Sequence, residues 1–317
     1  MSNTSFGKGF FFTTLAIFSW GVLPLYWKLL AAIDPLHILA FRILFSLILV
    51  GIILSITRNF AWLSVFRQPK KAGLLIMTAI LICANWGIYI WAINRGHTLD
   101  ASLGYYINPL VSIVLGLLFY RERLNLLQWI ALAIAFAGVT ILTVLSGSLP
   151  WIPLSLAFTF GFYGLLKKKS PLSALESLGA ETLLSLPISL FLLSFSFSGG
   201  ASFLPAFSGA RGLEYILDLP AATWIILALC GAVTTVPLYW FALGTKLLPL
   251  SAIGFIQFIN PTIQFVLGLF VFGEAFPPHH FAAFAVIWAA VIIYIISLRT
   301  GKNQKSAKNS VNPSRGK

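Results

Sequence analysis

Two asparagine–proline pairs, Asn108-Pro109 and Asn260-Pro261, stand inside long apolar runs, each preceded by isoleucine. Proline has no N–H and clashes with the carbonyl four residues back, so it kinks a helix. Pro109 thereby frees the carbonyl of Tyr105, and Pro261 that of Gln257. In hydrocarbon a freed carbonyl needs a neighbouring helix, a side chain or water. Each Asn adds an amide with two donors and an acceptor. Two roles fit: a hydrogen-bonding wall around a central polar cavity, or kinks that serve packing with the amides bonded across helices. Two charges also stand within apolar runs. Glu181 suits a cationic group, a proton or a structural hydrogen bond; Arg42 suits an anionic group, an acid partner or an outward snorkel. Asn85 and Gln257 add uncharged polar side chains, and Trp20, Tyr105 and Tyr163 add rings that stack on flat groups or hold cations. The cavity candidates are therefore Trp20, Arg42, Asn85, Tyr105, Asn108, Tyr163, Glu181, Gln257 and Asn260, with Pro109 and Pro261 as kink residues.

Other chemistries are not written here. His37, His97, His279 and His280 lie near run ends and make no ligand spacing with Cys or acid. Cys83 and Cys230 lie inside apolar runs and read as small core residues. There is no catalytic constellation and no phosphate-cradling glycine loop, so neither a metal site nor a cofactor is expected. Asp100, Lys28 and Glu176 fall near run ends and read as interfacial. Glu122 and Glu274 each stand before a following helix, where a negative charge favours the positive end of the dipole.

The elements that hold these residues must cross a membrane. The chain has 317 residues, 59% apolar and 9% charged, against about 25% charged in ordinary soluble domains. A span takes roughly 20 apolar residues. Ten runs qualify, near 9–31, 36–57, 72–94, 98–120, 126–146, 150–167, 173–197, 220–243, 249–272 and 279–298. The first is too long for a signal peptide and has no small-x-small cleavage site. The net charge of +13 is distributed by topology rather than for nucleic acid. With the N-terminus inside, 17 of the 21 basic residues fall in cytoplasmic segments, and only Arg95 and Arg211 fall outside. By the positive-inside rule both termini are cytoplasmic. Residues 299–317 form a basic tail expected to be disordered.

The asparagine–proline pairs belong to a repeat. Residues 107–122 read INPLVSIVLGLLFYRE and residues 259–274 read INPTIQFVLGLFVFGE, identical at eight of sixteen positions. Upstream, Tyr89, Ala92 and Gly104 match Tyr239, Ala242 and Gly254 at a spacing of 150, so the second copy gains two residues before its INP. Each half holds five spans. Five is odd, so the second half enters the membrane from the opposite face, and both Asn lie near the midplane. Inverted repeats with helices broken at the midplane suit alternating access. The fold class expected is an all-α integral membrane protein, ten transmembrane helices as two inverted five-helix repeats at 1–147 and 148–298.

The stretches SWGVLPLYWKL (19–29), NWGIYIWAIN (85–94), ASLGYYINPLVSIVLGLLFYRER (101–123), FGFYGLLKKK (160–169), ETLLSLP (181–187) and TTVPLYWFALGTKLLPLSAIGFIQFINP (234–261) resemble the EamA family of the drug/metabolite transporter superfamily, in its RarD-type members. The resemblance implies two inverted EamA repeats and an inner-membrane permease for a small metabolite or drug. The partners expected are that small molecule and the lipid bilayer, with no nucleic acid; a monomer is compatible with the sequence, which sets no oligomeric state. Two rivals are carried. A receptor or scaffold without transport would make the kinks incidental, and a lipid-directed membrane enzyme would need His, Asp or Ser clustered at one face.

Overall fold

A computed structural model describes residues 3–94, 98–146, 151–197, 214–273 and 285–298. Every element among them is helical. In chain order they are α1 (Asn3–Leu29), α2 (Pro35–Ile56), a 3₁₀ helix (Ala61–Arg67), α3 (Pro69–Asn94), α4 (Thr98–Tyr120), α5 (Leu126–Ser146), α6 (Trp151–Lys169), α7 (Ala174–Phe197), the short α8 (Glu214–Leu217), α9 (Ala221–Leu247), α10 (Leu250–Gln257) and α11 (Ile259–Phe270). A last helix, α12, covers Ala285–Leu298. Six segments are long and apolar enough to cross a membrane: Thr4–Leu29, Leu36–Ile56, Pro69–Tyr89, Ala174–Ser194, Ala221–Leu247 and Leu250–Phe270. Gly104–Tyr120, Leu126–Ile141 and Ala285–Leu298 are shorter apolar helices. Arg95, Arg211, His97, Glu274, His279, His280 and the tail from 299 lie outside the described residues.

Local chemistry sets the helix starts. Asp34 precedes Pro35 and accepts from the Leu36 N–H at 2.8 Å, joining a side-chain cap to a proline at the first helical position. Ser173 and Glu176 cap α7 reciprocally: Glu176 Oε2 accepts from the Ser173 N–H at 2.8 Å, and Ser173 Oγ accepts from the Glu176 N–H at 3.3 Å. Asn125 and Gln128 do the same for α5, at 3.0 and 2.9 Å. Helix α10 starts after Pro249, which has no capping side chain. Glu122, from the far end of α4, supplies the missing acceptor: it takes the Leu250 N–H at 2.6 Å, the Ser251 N–H at 2.9 Å and the Ser251 hydroxyl at 2.6 Å. The sequence expectation for Glu122 is corrected in its target. The carboxylate serves a helix N-terminus in the other half of the chain, because Asn125 already caps the helix that follows it.

The two INP segments are built differently. Helix α4 runs unbroken through Pro109, whereas the second copy breaks at Phe258 into α10 and α11. The backbone stays close to helical at the break, Phe258 having φ −64° and ψ −14°, so the interruption is a local loosening of one turn.

Helices α4 and α10 cross at the centre. A Cβ on Gly254 would lie 2.6 Å from the Pro109 carbonyl oxygen, so only glycine admits this approach. Beside the crossing, the Ser112 hydroxyl donates to Gln257 Oε1 at 3.0 Å. Helix α1 packs on α9 and α11, and α6 packs on α3 and α4; α2 lies against α7 and α9. Large apolar side chains such as Leu118, Leu126, Phe136 and Phe270 point outward, as a lipid-facing surface requires.

Candidate functional site

A cavity of about 130 Å³ lies between the helices. It is lined from α1 by Trp20 and Trp27, from α2 by Arg42, from α3 by Asn85, Trp86 and Tyr89, and from α4 by Tyr105 and Asn108. Phe160 of α6, Thr234 of α9, Gln257 of α10, and Asn260 and Gln264 of α11 complete the polar and aromatic wall. Seven of the nine candidates read from the sequence therefore share one cavity: Trp20, Arg42, Asn85, Tyr105, Asn108, Gln257 and Asn260.

The wall is partly organised by its own bonds. Asn85 Nδ2 donates to the Leu156 carbonyl at 2.8 Å and to Thr159 Oγ1 at 2.9 Å. Gln264 Nε2 donates to Asn260 Oδ1 at 3.0 Å, one helical turn away. Asn108 Oδ1 and Gln257 Nε2 are buried and have no hydrogen-bond partner among the described residues. Arg42 is wedged between indoles, its guanidinium carbon 4.0 Å from the Trp86 ring centre and 5.2 Å from that of Trp27. Its Nε donates to Thr234 Oγ1 at 3.3 Å. Among the described residues, no aspartate, glutamate or lysine lines the cavity.

Tyr163 and Glu181 stand apart from this wall. Glu181 accepts from Lys167 Nζ at 2.7 Å, from the Tyr163 hydroxyl at 3.2 Å and from Ser177 at 3.3 Å. Lys167, the third side chain of this cluster, is wholly buried. Around them the end of the molecule that carries the N-terminus is tied together. The Lys168 ammonium donates to the carbonyls of Leu248 and of Thr245, the latter at 3.3 Å. The Lys246 ammonium donates to the Leu172 carbonyl. Lys168 thus sits at the C-terminal end of α9, where positive charge is favoured, whereas Lys246 reaches the connection between α6 and α7.

Trp27, Thr234 and Gln264 are wall residues that reading by residue type did not single out. A further internal match would have found Trp27. Shifted by 140, the segment 18–28, FSWGVLPLYWK, meets 158–168, FTFGFYGLLKK, pairing Trp20 with Phe160, Gly21 with Gly161, Trp27 with Lys167 and Lys28 with Lys168. In α2 and α7, Arg42 and Glu181 are each eight residues past the capping residue, Asp34 or Ser173, with Leu44, Ser46 and Leu47 matching Leu183, Ser185 and Leu186. Contacts repeat with these matches. A Cβ on Gly21 would meet Ile263 at 2.8 Å, and one on Gly161 would meet Val111, the INP-repeat match of Ile263, at 2.7 Å. Lys28 lies 4.5 Å from the Phe272 ring centre, and Lys168 lies 5.2 Å from that of Tyr120, the match of Phe272.

The chain is similar to known transporters along nearly its whole length. Residues 7–144 match the EamA-like transporter family. An uncharacterized transporter of Bacillus subtilis, YojE, is 42% identical over 94% of this chain and 96% of its own. Protein RarD of Streptomyces exfoliatus is 40% identical over 93% of this chain and 90% of its own, and RarD of Escherichia coli is 37% identical over 91% and 94%. A crystal structure of a protein only 17% identical superimposes with a TM-score of 0.64 over 91% of this chain and 97% of that one, a likeness of fold. The protein is a multi-pass membrane transporter of the drug/metabolite superfamily, and it belongs to the EamA-like transporter family as a RarD-type member.

Proposed function

We propose that the protein is a carrier that moves a small molecule across the inner membrane by alternating access, with ten spans arranged as two inverted five-helix halves and both termini in the cytoplasm. One observation carries this reading. Positions matched between the halves differ in their surroundings: Trp27 and Arg42 face the cavity, whereas Lys167 and Glu181 are packed and bonded. An inverted repeat caught in one of its two asymmetric states has this property, because exchanging the conformations of the halves would open the second set and close the first. The matched contacts Gly21–Ile263 and Gly161–Val111 support the same relation. Helix packing supports it too: α4 on α6 is answered by α11 on α1, and α1 on α9 by α6 on α3. On the charge distribution, the cavity belongs to the outward half and the lysine-tied end to the cytoplasmic half.

Ser112 and Gln264 are matched positions, the first buried and the second on the cavity wall. In a background with Cys83 and Cys230 replaced by alanine, Gln264→Cys should react with an impermeant thiol reagent from the outer face. Ser112→Cys should react from the cytoplasmic face, and a transported solute should shift the two rates in opposite directions. A scaffold without transport would leave both rates insensitive to every solute tested.

A further inference from the structure

We propose that the cavity takes a small organic anion, its carboxylate-type head held by Arg42 and its flat body lying against the indoles beside that residue. This rests on the carrier reading and adds the class of cargo.

The first ground is the charge of the wall. Among the described residues, Arg42 is the single formally charged side chain that lines the cavity. Among the described residues the ion pair is Lys167–Glu181, so no carboxylate answers Arg42. A half-buried cation facing a cavity favours an anion, and arginine holds carboxylates through two parallel N–H donors. Among the described residues Arg42 donates only through Nε, to Thr234, which leaves the two Nη groups for such a fork. The indoles of Trp86 and Trp27 fix the guanidinium plane by cation–π contact and offer flat apolar surface next to it.

The second ground is independent and comes from the match between halves. The charge at the matching position, Glu181, is neutralised within the protein by Lys167. The residue that matches Lys167 is Trp27. Thus the chain supplies a partner for the packed charge and supplies an aromatic ring, with no acid, at the corresponding place beside the charge that faces the cavity.

The volume of about 130 Å³ is near that of cavities of about 150 Å³ that take up benzene, so a single ring is the natural body.

The test is equilibrium binding of radiolabelled benzoate to the purified full-length protein. Benzoate should bind saturably and be displaced by other aromatic carboxylates. Benzamide, benzylammonium and, at matched ionic strength, chloride should displace it at least tenfold less well. Arg42→Gln should weaken binding at least tenfold and Arg42→Lys by less, since lysine keeps the charge and loses the fork. Trp86→Leu, which keeps the guanidinium, should weaken benzoate more than acetate. The proposal is overturned if benzamide or benzylammonium competes as well as benzoate, if chloride alone displaces it, if no carboxylate binds saturably at millimolar concentration, or if Arg42→Gln binds as wild type does. Flux in proteoliposomes separates the two readings. Arg42-dependent benzoate binding with no flux of any solute would support the anion site and reject the carrier. Flux of neutral or cationic solutes that is indifferent to Arg42→Gln would reject the anion site and keep the carrier.

Discussion

Lys167 and Glu181 meet at 2.7 Å with side-chain exposures of 0% and 5%. Such a pair costs desolvation on both sides, so its presence adds little net stability, but breaking it strands a charge. Lys167→Met or Glu181→Gln alone should lower unfolding stability in detergent by about 3–5 kcal/mol, whereas the double variant Lys167→Met/Glu181→Leu should recover most of the loss. Equal losses in the single and double variants would mean that the two residues do not act as a pair. The depth of Glu181 is legible from its distance into an apolar run. Its partner is not. Lys167 stands in a row of three lysines that reads as a basic flank, and only the rotation of α6 about its axis decides that Lys167 turns inward while Lys168 turns to the carbonyls at the end of α9. Arg42 is the reverse case: its position was plain, but its surroundings depend on α1, α3 and α9 meeting around it.

Between elements, Glu122 joins the end of α4 to the start of α10. Glu122→Ala should cost about 1–2 kcal/mol, the range for losing a strong N-cap, and Glu122→Gln should cost less because an amide oxygen still accepts. Thermal unfolding of the purified variants measures both. Where α4 and α10 cross, Gly254→Val should cost about 1–3 kcal/mol by overpacking against the Pro109 carbonyl and Ile113, while valine at Gly73, which has open space around it, should be far milder. The two prolines stand out by type alone, but α4 continues through Pro109 and the interruption in the second half falls at Phe258, three residues before Pro261. The same INP yields a continuous helix in one half and a break in the other, so the motif alone does not decide the outcome.

At the scale of the whole molecule, Lys168 and Lys246 close one end by donating to carbonyls of neighbouring helix junctions. A hydrogen bond from a charged donor contributes about 1.5–3 kcal/mol, and each 1.4 kcal/mol is a factor of about ten in a population. Lys168→Ala with Lys246→Ala should therefore raise labelling of Ser112→Cys from that end at least tenfold. An unchanged rate would mean that the lysines do not hold this end shut. The all-helical membrane character of the chain was readable because lipid imposes long apolar helices. The closed end was not, because its bonds run from side chains to backbone carbonyls and leave no trace in residue spacing. The break at Phe258 carries a last consequence. The Thr262 N–H reaches the Phe258 carbonyl at only 3.4 Å, beside the loosened turn, while α4 passes its own proline without interruption. One arm of the crossing is thus continuous and the other interrupted, so the two arms should open with unequal ease. Deuterium should enter the amides of 258–262 well before those of 106–110, and equal protection would mean that the interruption does not loosen the helix.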